Sequence, residues 1–439
     1  MEKFVSFIEK YLLPVAGKIG GEKHLGAIRD GFIGIIPIIM AGAFAILINN
    51  FGHIWGGYDT MMVAIFGHAW KSAGGAVWNG SYAIMSLLVC FSTAYNLARS
   101  RKSDGLAAGL VAVAVLVIFY GDLTKNVSYL GTNGLLMGLA VALIVADAMA
   151  FLLGNPKLVF KMPAGVPPAV AKSFASLFPS LIIMGIAGIL QAVWAIFMTE
   201  SIPQFLYLII QEPLQGVVGS LGGALILVFV IQLLWWFGLH GSNMMLPIVN
   251  GILLPLTIDN MHRAAQGLQP LYIINDQFIN SYVQFGGSGA TLCLMFAIVI
   301  LNKFRKNKSE VQLAITKLAI APGIFNINEP IIFGLPICLD AIYFIPFIFI
   351  PLINVVIAYF AMLWHIVPLI QLEVTWVMPP IVSAFFASAS WRGAALVIVL
   401  LIIDTILFLP FAIAAADRDH KNMLAAVAEE EAKAKPVTA

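Results

Sequence analysis

The sequence predicts an all-α polytopic membrane protein with about ten spans, and three observations carry that prediction. Hydrophobic residues make up 61% of the 439, well above the roughly 45–50% of a soluble globular chain. Charged residues make up 10%, where about 25% is usual, and eighteen of them lie in the first 30 residues or after Ala416. Apolar runs near the roughly 20 residues a spanning helix needs recur along the chain, and mean hydropathy is +0.95. Soluble enzymes, disordered scaffolds and nucleic-acid binders are excluded.

The elements follow in order. Phe4, Phe7, Ile8, Tyr11, Leu12 and Val15 recur at helical spacing opposite Glu2, Lys3, Glu9 and Lys10. That pattern describes an amphipathic helix on the membrane surface rather than a signal peptide. Spanning runs cover Ile28–Ile48, Tyr82–Ala98, Gly105–Tyr120, Leu130–Leu153, Ser173–Met198, Ser220–Leu239, Ala290–Leu301, Ala341–His365 and Arg392–Ala415. Segments 240–258, 271–289 and 311–340 are apolar but interrupted by Gly, Pro, Asn and charge. They suit re-entrant hairpins or broken helices, which survive in a membrane only where protein or water satisfies the freed backbone.

Placement of the basic residues sets the orientation, since a net charge of +2 says little by itself. Arg99, Arg101 and Lys102, then Lys157, Lys161 and Lys172, then Lys303, Arg305, Lys306 and Lys308 form three clusters for the cytoplasmic side. The loops at 49–80 and 121–129 carry one lysine each and fit the outside. Lys18, Lys23 and Arg29 place the start of the chain inside, and Arg418 with Lys421 places the end there too. The chain is read as a unit of regular spans at 1–200, an amphipathic connector at 201–219, a unit at 220–416 that gathers the polar and irregular features, and a solvated tail at 417–439.

Ionisable residues within apolar runs cost roughly 2.5–3.5 kcal/mol at a helix centre and mark function by default. The candidates are Asp147, His240, Glu329, Asp340, Glu373, Arg392 and Asp404. Solvation at span ends explains Asp147 and Asp404 equally well, a loop explains Asp340, and snorkelling explains Arg392. Two clusters resist such explanations. In Trp235-Trp236-Phe237-Gly238-Leu239-His240-Gly241-Ser242-Asn243, glycines flank a histidine, so backbone can bend there and approach a ligand. In Ala321-Pro322-Gly323-Ile324-Phe325-Asn326-Ile327-Asn328-Glu329-Pro330, a helix-breaking pair precedes two amides and a carboxylate. Pro330 is expected to push Glu329 onto an extended tip. Carboxylates accept from hydroxyls and amides both donate and accept, so this set suits hydroxyl-rich cargo.

Supporting features surround the two clusters. Gln284-Phe285-Gly286-Gly287-Ser288-Gly289 is a turn whose N–H groups can meet ligand oxygens, and it lacks the lysine and spacing of a P-loop. Trp376 stands beside a backbone break at Pro379-Pro380 and suits stacking on a sugar ring. The pairs Gly105/Gly109 and Gly134/Gly138 point to close helix packing, most simply within the chain. Cys90, Cys293 and Cys338 sit singly in apolar runs, and no histidine shows metal-ligand spacing. No metal or cofactor is expected.

Along its whole length the chain resembles the membrane-spanning IIC component of the bacterial phosphoenolpyruvate-dependent sugar phosphotransferase system, in the lactose/cellobiose/diacetylchitobiose group. The likeness rests on Leu13-Pro14-Val15-Ala16-Gly17-Lys18-Ile19-Gly20, His24-Leu25-Gly26-Ala27-Ile28-Arg29-Asp30-Gly31-Phe32, Trp236–Gly241, Gly286–Gly289 and Asn328-Glu329-Pro330, in the family's order. It implies a homodimer in the inner membrane, with about ten spans per protomer and two re-entrant hairpins enclosing a disaccharide. It implies Trp235, His240, Glu329 and Trp376 as sugar contacts, with Asn243, Asn328 and the Gly286 amide as weaker ones. Glu329 and His240 then approach the 6-hydroxyl that is phosphorylated, and either can accept its proton. The resemblance also implies a phosphocysteine donor on a separate IIB protein, itself charged by IIA. The other reading of the residues is a proton- or sodium-coupled secondary sugar transporter.

Overall fold

The computed structural model describes residues 21–53, 55–160, 162–163, 165–305, 309–335 and 337–434. The amphipathic helix and the Leu13–Gly20 motif read from the sequence lie outside these residues. The described chain is helical, without strands. Its principal helices are α1 (Lys23–Asn50), α2 (Met85–Ser100), α3 (Gly105–Tyr120), α4 (Leu135–Leu153), α5 (Leu177–Phe197) and α6 (Leu221–Trp236). They continue with α7 (Gly241–Ile248), α8 (Asp276–Tyr282), α9 (Thr291–Phe304), α10 (Glu310–Ile324), α11 (Glu329–Gly334), α12 (Ala341–Leu363), α13 (Pro380–Ser388) and α14 (Trp391–Ala434).

Capping residues account for several starts. Asp104 accepts from the Ala107 N–H, Ser220 from Gly223 and Asp340 from Ile342. Each satisfies a donor that the first helical turn leaves orphaned. Among the described residues seven helices are long and apolar enough to cross a membrane, or nine if two sharply bent pairs each count as one span. That is fewer than the ten read from the sequence. The 290–301 run shows why: α9 has 14 residues, about 21 Å of helix against a hydrocarbon core of roughly 30 Å.

The structure departs from the sequence reading in three other places. Segment 240–258 is not interrupted: α7 runs through a π-helical turn at Val249–Leu253 into a helix to Ala265. A wider turn absorbs the lost N–H of Pro247 and Pro255 without breaking the rod. The outer loop at 49–80 contains two helices, Tyr58–Phe66 and Lys71–Asn79. The tail after Ala416 is helical, with α14 continuing to Ala434, as its Ala, Glu and Lys content favours.

Three apolar cores form. One draws wholly on residues up to Ala187 and gathers α2, α3 and α4. A second draws wholly on residues from Ala224 onward and gathers α6, α9, α12 and α14. The third is a seam, where Phe32, Tyr82 and Leu139 meet Leu254, Ile258 and Leu372. The joint between the halves is a string of short helices, Ile202–Leu206, Tyr207–Gln211 and Glu212–Val218, turned 80° from α6. Ile202 and Leu206 rest on the first core, while Val218 and Leu221 rest on the second.

Two hairpins invade the second half. The first is α10, a break at 325–328, and α11 packed back on α10. The second descends as irregular chain from Trp364 and returns as α13, with the Gln371 and Leu372 N–H groups donating to the Ala387 carbonyl.

Candidate functional site

A cavity of about 500 Å³ opens where the hairpin tips, the start of α7 and the glycine-rich turn converge. Trp235, His240, Asn243, Asn328, Glu329 and Trp376 all line it. This volume lies within the roughly 300–1,000 Å³ of small-molecule sites.

Local sequence places each group. Helix α6 ends at Trp236, and Gly238 turns the chain with φ +77° so that His240 becomes the N-cap of α7. Gly241 comes so close to the α6 backbone that a Cβ would lie 2.1 Å from the Ile231 carbonyl oxygen. No larger residue fits there. The His240 Nδ1 accepts from the Asn243 N–H at 3.2 Å, which leaves the proton of the neutral ring on Nε2. That Nε2 faces Glu329 Oε1 at 3.6 Å. The indole of Trp235 lies against the imidazole, with ring centres 4.2 Å apart.

Glu329 is the first residue of α11 rather than an extended tip. Pro330 needs no N–H in a first turn, so the helix begins despite it. Asn328 is buried, and its Nδ2 donates to the Ser288 carbonyl at 3.1 Å. A polar chain continues from there: Ser288 Oγ lies 2.9 Å from Ser242 Oγ, which accepts from the Trp235 Nε1 at 3.1 Å. Gly287 makes room for Asn328 with φ +88°. The Gly286 N–H is occupied within the chain, donating to Asn326 Oδ1 at 3.0 Å.

Three features add roles that the sequence reading did not assign. Asn326, at φ +63°, joins the two hairpins: its Nδ2 donates to the carbonyls of Trp376 (2.7 Å) and Met378 (3.1 Å). Asp276 and Glu373 also line the cavity. Glu373 is 7% exposed and its Oε2 has no partner, an orphaned acceptor of the kind a ligand donor satisfies. Asp276 is the one charge in the interrupted apolar segment 271–289, but the sequence reading did not single it out among the candidate carboxylates. Finally, one wall is α1 of the first half, through Phe32, Ile36, Ile39 and Met40. The polar candidates do lie after residue 220, but the second half does not enclose the cavity by itself.

The remaining ionisable candidates are engaged elsewhere. Asp147 accepts from Arg101 and pairs with His24, whose other ring nitrogen meets Glu22 at 2.7 Å. That contact holds the Glu22 carboxyl down at about 2. Arg392 donates to the His365 carbonyl, and Asp340 pairs with Arg418. Asp404 is fully buried rather than solvated at a span end, and its Oδ2 accepts from Asn354 Nδ2 at 2.7 Å.

The family described as "Phosphotransferase system, EIIC" matches residues 29–351. This chain belongs to that family. Among EIIC proteins it is 34% identical to the cellobiose-specific EIIC component of Lactococcus lactis subsp. lactis, over 94% of this chain and 98% of that one. It is also 34% identical to the lichenan permease IIC component of Bacillus subtilis, over 94% and 93%. The crystal structure of the transporter ChbC, the IIC component from the N,N'-diacetylchitobiose-specific phosphotransferase system, superposes with a TM-score of 0.88 at 32% identity. That match covers 97% of this chain and 99% of the other. The chain is thus a multi-pass EIIC sugar permease.

Proposed function

We propose that this EIIC chain carries a β-linked disaccharide of the cellobiose or diacetylchitobiose type inward and presents its 6-hydroxyl to the phosphocysteine of a separate IIB protein. The juxtaposition of His240 Nε2 and Glu329 Oε1 in the cavity wall carries this reading. The hydroxyl sits between them. Because the Asn243 N–H occupies Nδ1, the neutral imidazole donates through Nε2, and Glu329 is the group left to accept. As O6 attacks phosphorus in line and the cysteine thiolate departs, the hydroxyl proton passes to Glu329. Trp235 and Trp376 offer aromatic faces to the sugar rings, while Asn243, Asn328, Asp276 and Glu373 meet hydroxyls further along.

The basic clusters support a reading with both ends of the chain on the cytoplasmic side of a bacterial inner membrane. Helix α5 supports a dimer contact made by the first half. It is almost wholly exposed, and its Gly185 and Gly188 meet nothing within 4 Å. The joint at 201–219 then lets the second half move against that fixed half, as alternating access requires.

The test uses vesicles containing the chain, with purified IIA and IIB, phosphoenolpyruvate and labelled cellobiose or diacetylchitobiose. Sugar recovered inside as its 6-phosphate, only when phosphoenolpyruvate is supplied, is the expected result. Unmodified sugar accumulating with a proton or sodium gradient would replace this reading with ion-coupled transport.

A further inference from the structure

Glu329 sits at the tip of a hairpin, so whatever grips the two feet of that hairpin decides where its carboxylate points. Both feet are gripped by consecutive residues of one helix. On the incoming foot, Ser309 Oγ and Gln312 Nε2 donate to Asp419 Oδ2 at 3.3 and 2.8 Å. On the returning foot, Asp340 Oδ2 takes an ion pair from Arg418 Nη1 at 2.5 Å. Arg418 also reaches Asp419 Oδ1 at 3.4 Å, and Arg305, ahead of the incoming foot, pairs with Asp417 at 3.0 Å. Isolated ion pairs at a surface contribute little. Here the Asp340 carboxylate is nearly buried, and losing its partner would strand a charge.

From the returning foot a second set of bonds runs inward. The Asp340 carbonyl accepts from Trp236 Nε1 at 3.1 Å, the Leu339 N–H donates to the Trp236 carbonyl at 2.9 Å, and Cys338 Sγ reaches the Trp235 carbonyl at 3.6 Å. Leu339 is held at φ +59°, a conformation a leucine keeps only when its surroundings impose it. The sequence therefore connects α14 to the two arms of the site, one bearing Glu329 and the other bearing Trp235 and His240.

We propose that Asp417, Arg418 and Asp419 form a clasp on the feet of the Glu329 hairpin, and that Arg418 and Asp340 are positioning residues for phosphoryl transfer. The clasp lies past the middle of α14, and in the orientation proposed above this is the side a phosphoryl-carrying partner approaches. Releasing the Arg418–Asp340 pair loosens the hairpin and misplaces Glu329, while the aromatic walls still hold sugar. This inference rests on the phosphotransfer reading above, so its test includes a measurement independent of that reading.

The variants are R418A, D340N and the exchanged pair D340R/R418D, each in the full chain. Cellobiose affinity should stay within about threefold of the parent. Phosphoryl-transfer kcat should fall about tenfold to a hundredfold in each single variant, the scale expected of a displaced catalytic group, and should recover largely in the exchanged pair. The independent measurement uses native Cys338. It is half-buried beside the clasp, whereas Cys90 and Cys293 are buried and serve as internal controls. A water-soluble maleimide should label Cys338 about tenfold faster in R418A than in the parent. Labelling of Cys90 or Cys293 would reveal unfolding, in which case R418K, which keeps the charge but loses the fork, decides by the same two measurements. Parent-like turnover together with parent-like Cys338 labelling overturns the clasp. So does lost turnover that the exchanged pair fails to restore while sugar still binds. A parent protein that phosphorylates no sugar overturns the phosphotransfer reading instead, and the Cys338 rates still judge the clasp.

Discussion

The two halves of this permease use the same apolar composition to opposite ends. In the first half, helices approach until backbone touches backbone. A Cβ on Gly105 would meet the Tyr95 carbonyl at 2.8 Å, one on Gly134 the Tyr129 carbonyl at 1.9 Å, and one on Gly138 the Ser86 carbonyl at 2.8 Å. Polar groups there are consumed internally, as in the Ser86–Tyr120 contact at 2.8 Å. In the second half the rods are cut at 237–240, 283–290, 325–328 and 364–379. An unbroken helix satisfies its own backbone and has nothing to offer cargo. A cut helix frees polar groups, and this chain collects its cuts around one cavity.

The largest test of that contrast is Glu329→Gln. It should lower phosphoryl transfer by about 10²–10⁴-fold, the usual cost of losing a general base, with sugar affinity changed only severalfold. Turnover near the parent's would remove Glu329 from the chemistry. Next comes a tether across the seam. Gly251 lies about a van der Waals contact from Leu136 of the first half, so L136C/G251C can be crosslinked there. Uptake should then drop by about tenfold or more and return on cleavage, if one half moves as a body. Full uptake with the tether closed would leave gating to the hairpins alone.

The glycines sharpen the comparison. Gly134→Ala should destabilise by about 1–3 kcal/mol through overpacking. Gly75→Ala, with open space around it, should change thermal stability in detergent by no more than about 0.5 kcal/mol. Equal effects would mean that close packing does not set the glycine positions of the first half. The smallest effect belongs to Trp376→Ala, at 45% exposure. It should weaken all accepted disaccharides by a similar two- to tenfold, from about 0.5–1.5 kcal/mol of aromatic contact, as titration calorimetry would show. Loss confined to one sugar would make Trp376 a selector of that sugar.

The cavity-lining residues were legible where a polar residue interrupts an apolar run, as His240 and Glu329 do, and Trp376 stood out beside a backbone break. Asp276 did not, because Asn275 and Gln277 on either side make it look like part of a loop. The α1 wall was invisible for the converse reason: Ile36 and Ile39 look like any lipid-facing pair until the seam forms. The second hairpin escaped because residues 364–379 have no period, and only the Gln371 and Leu372 bonds to Ala387 reveal its course. Element ends read well where an Asp or Ser cap marks them.

The link between the hairpin tips has an evolutionary consequence. Asn326 grips Trp376 and Met378 by their carbonyl oxygens, which every amino acid supplies. Side chains at 376 and 378 can therefore be exchanged without unfastening the two tips, provided that Asn326 stays. Substitution at the tip can then change what the cavity wall presents while the frame is inherited intact.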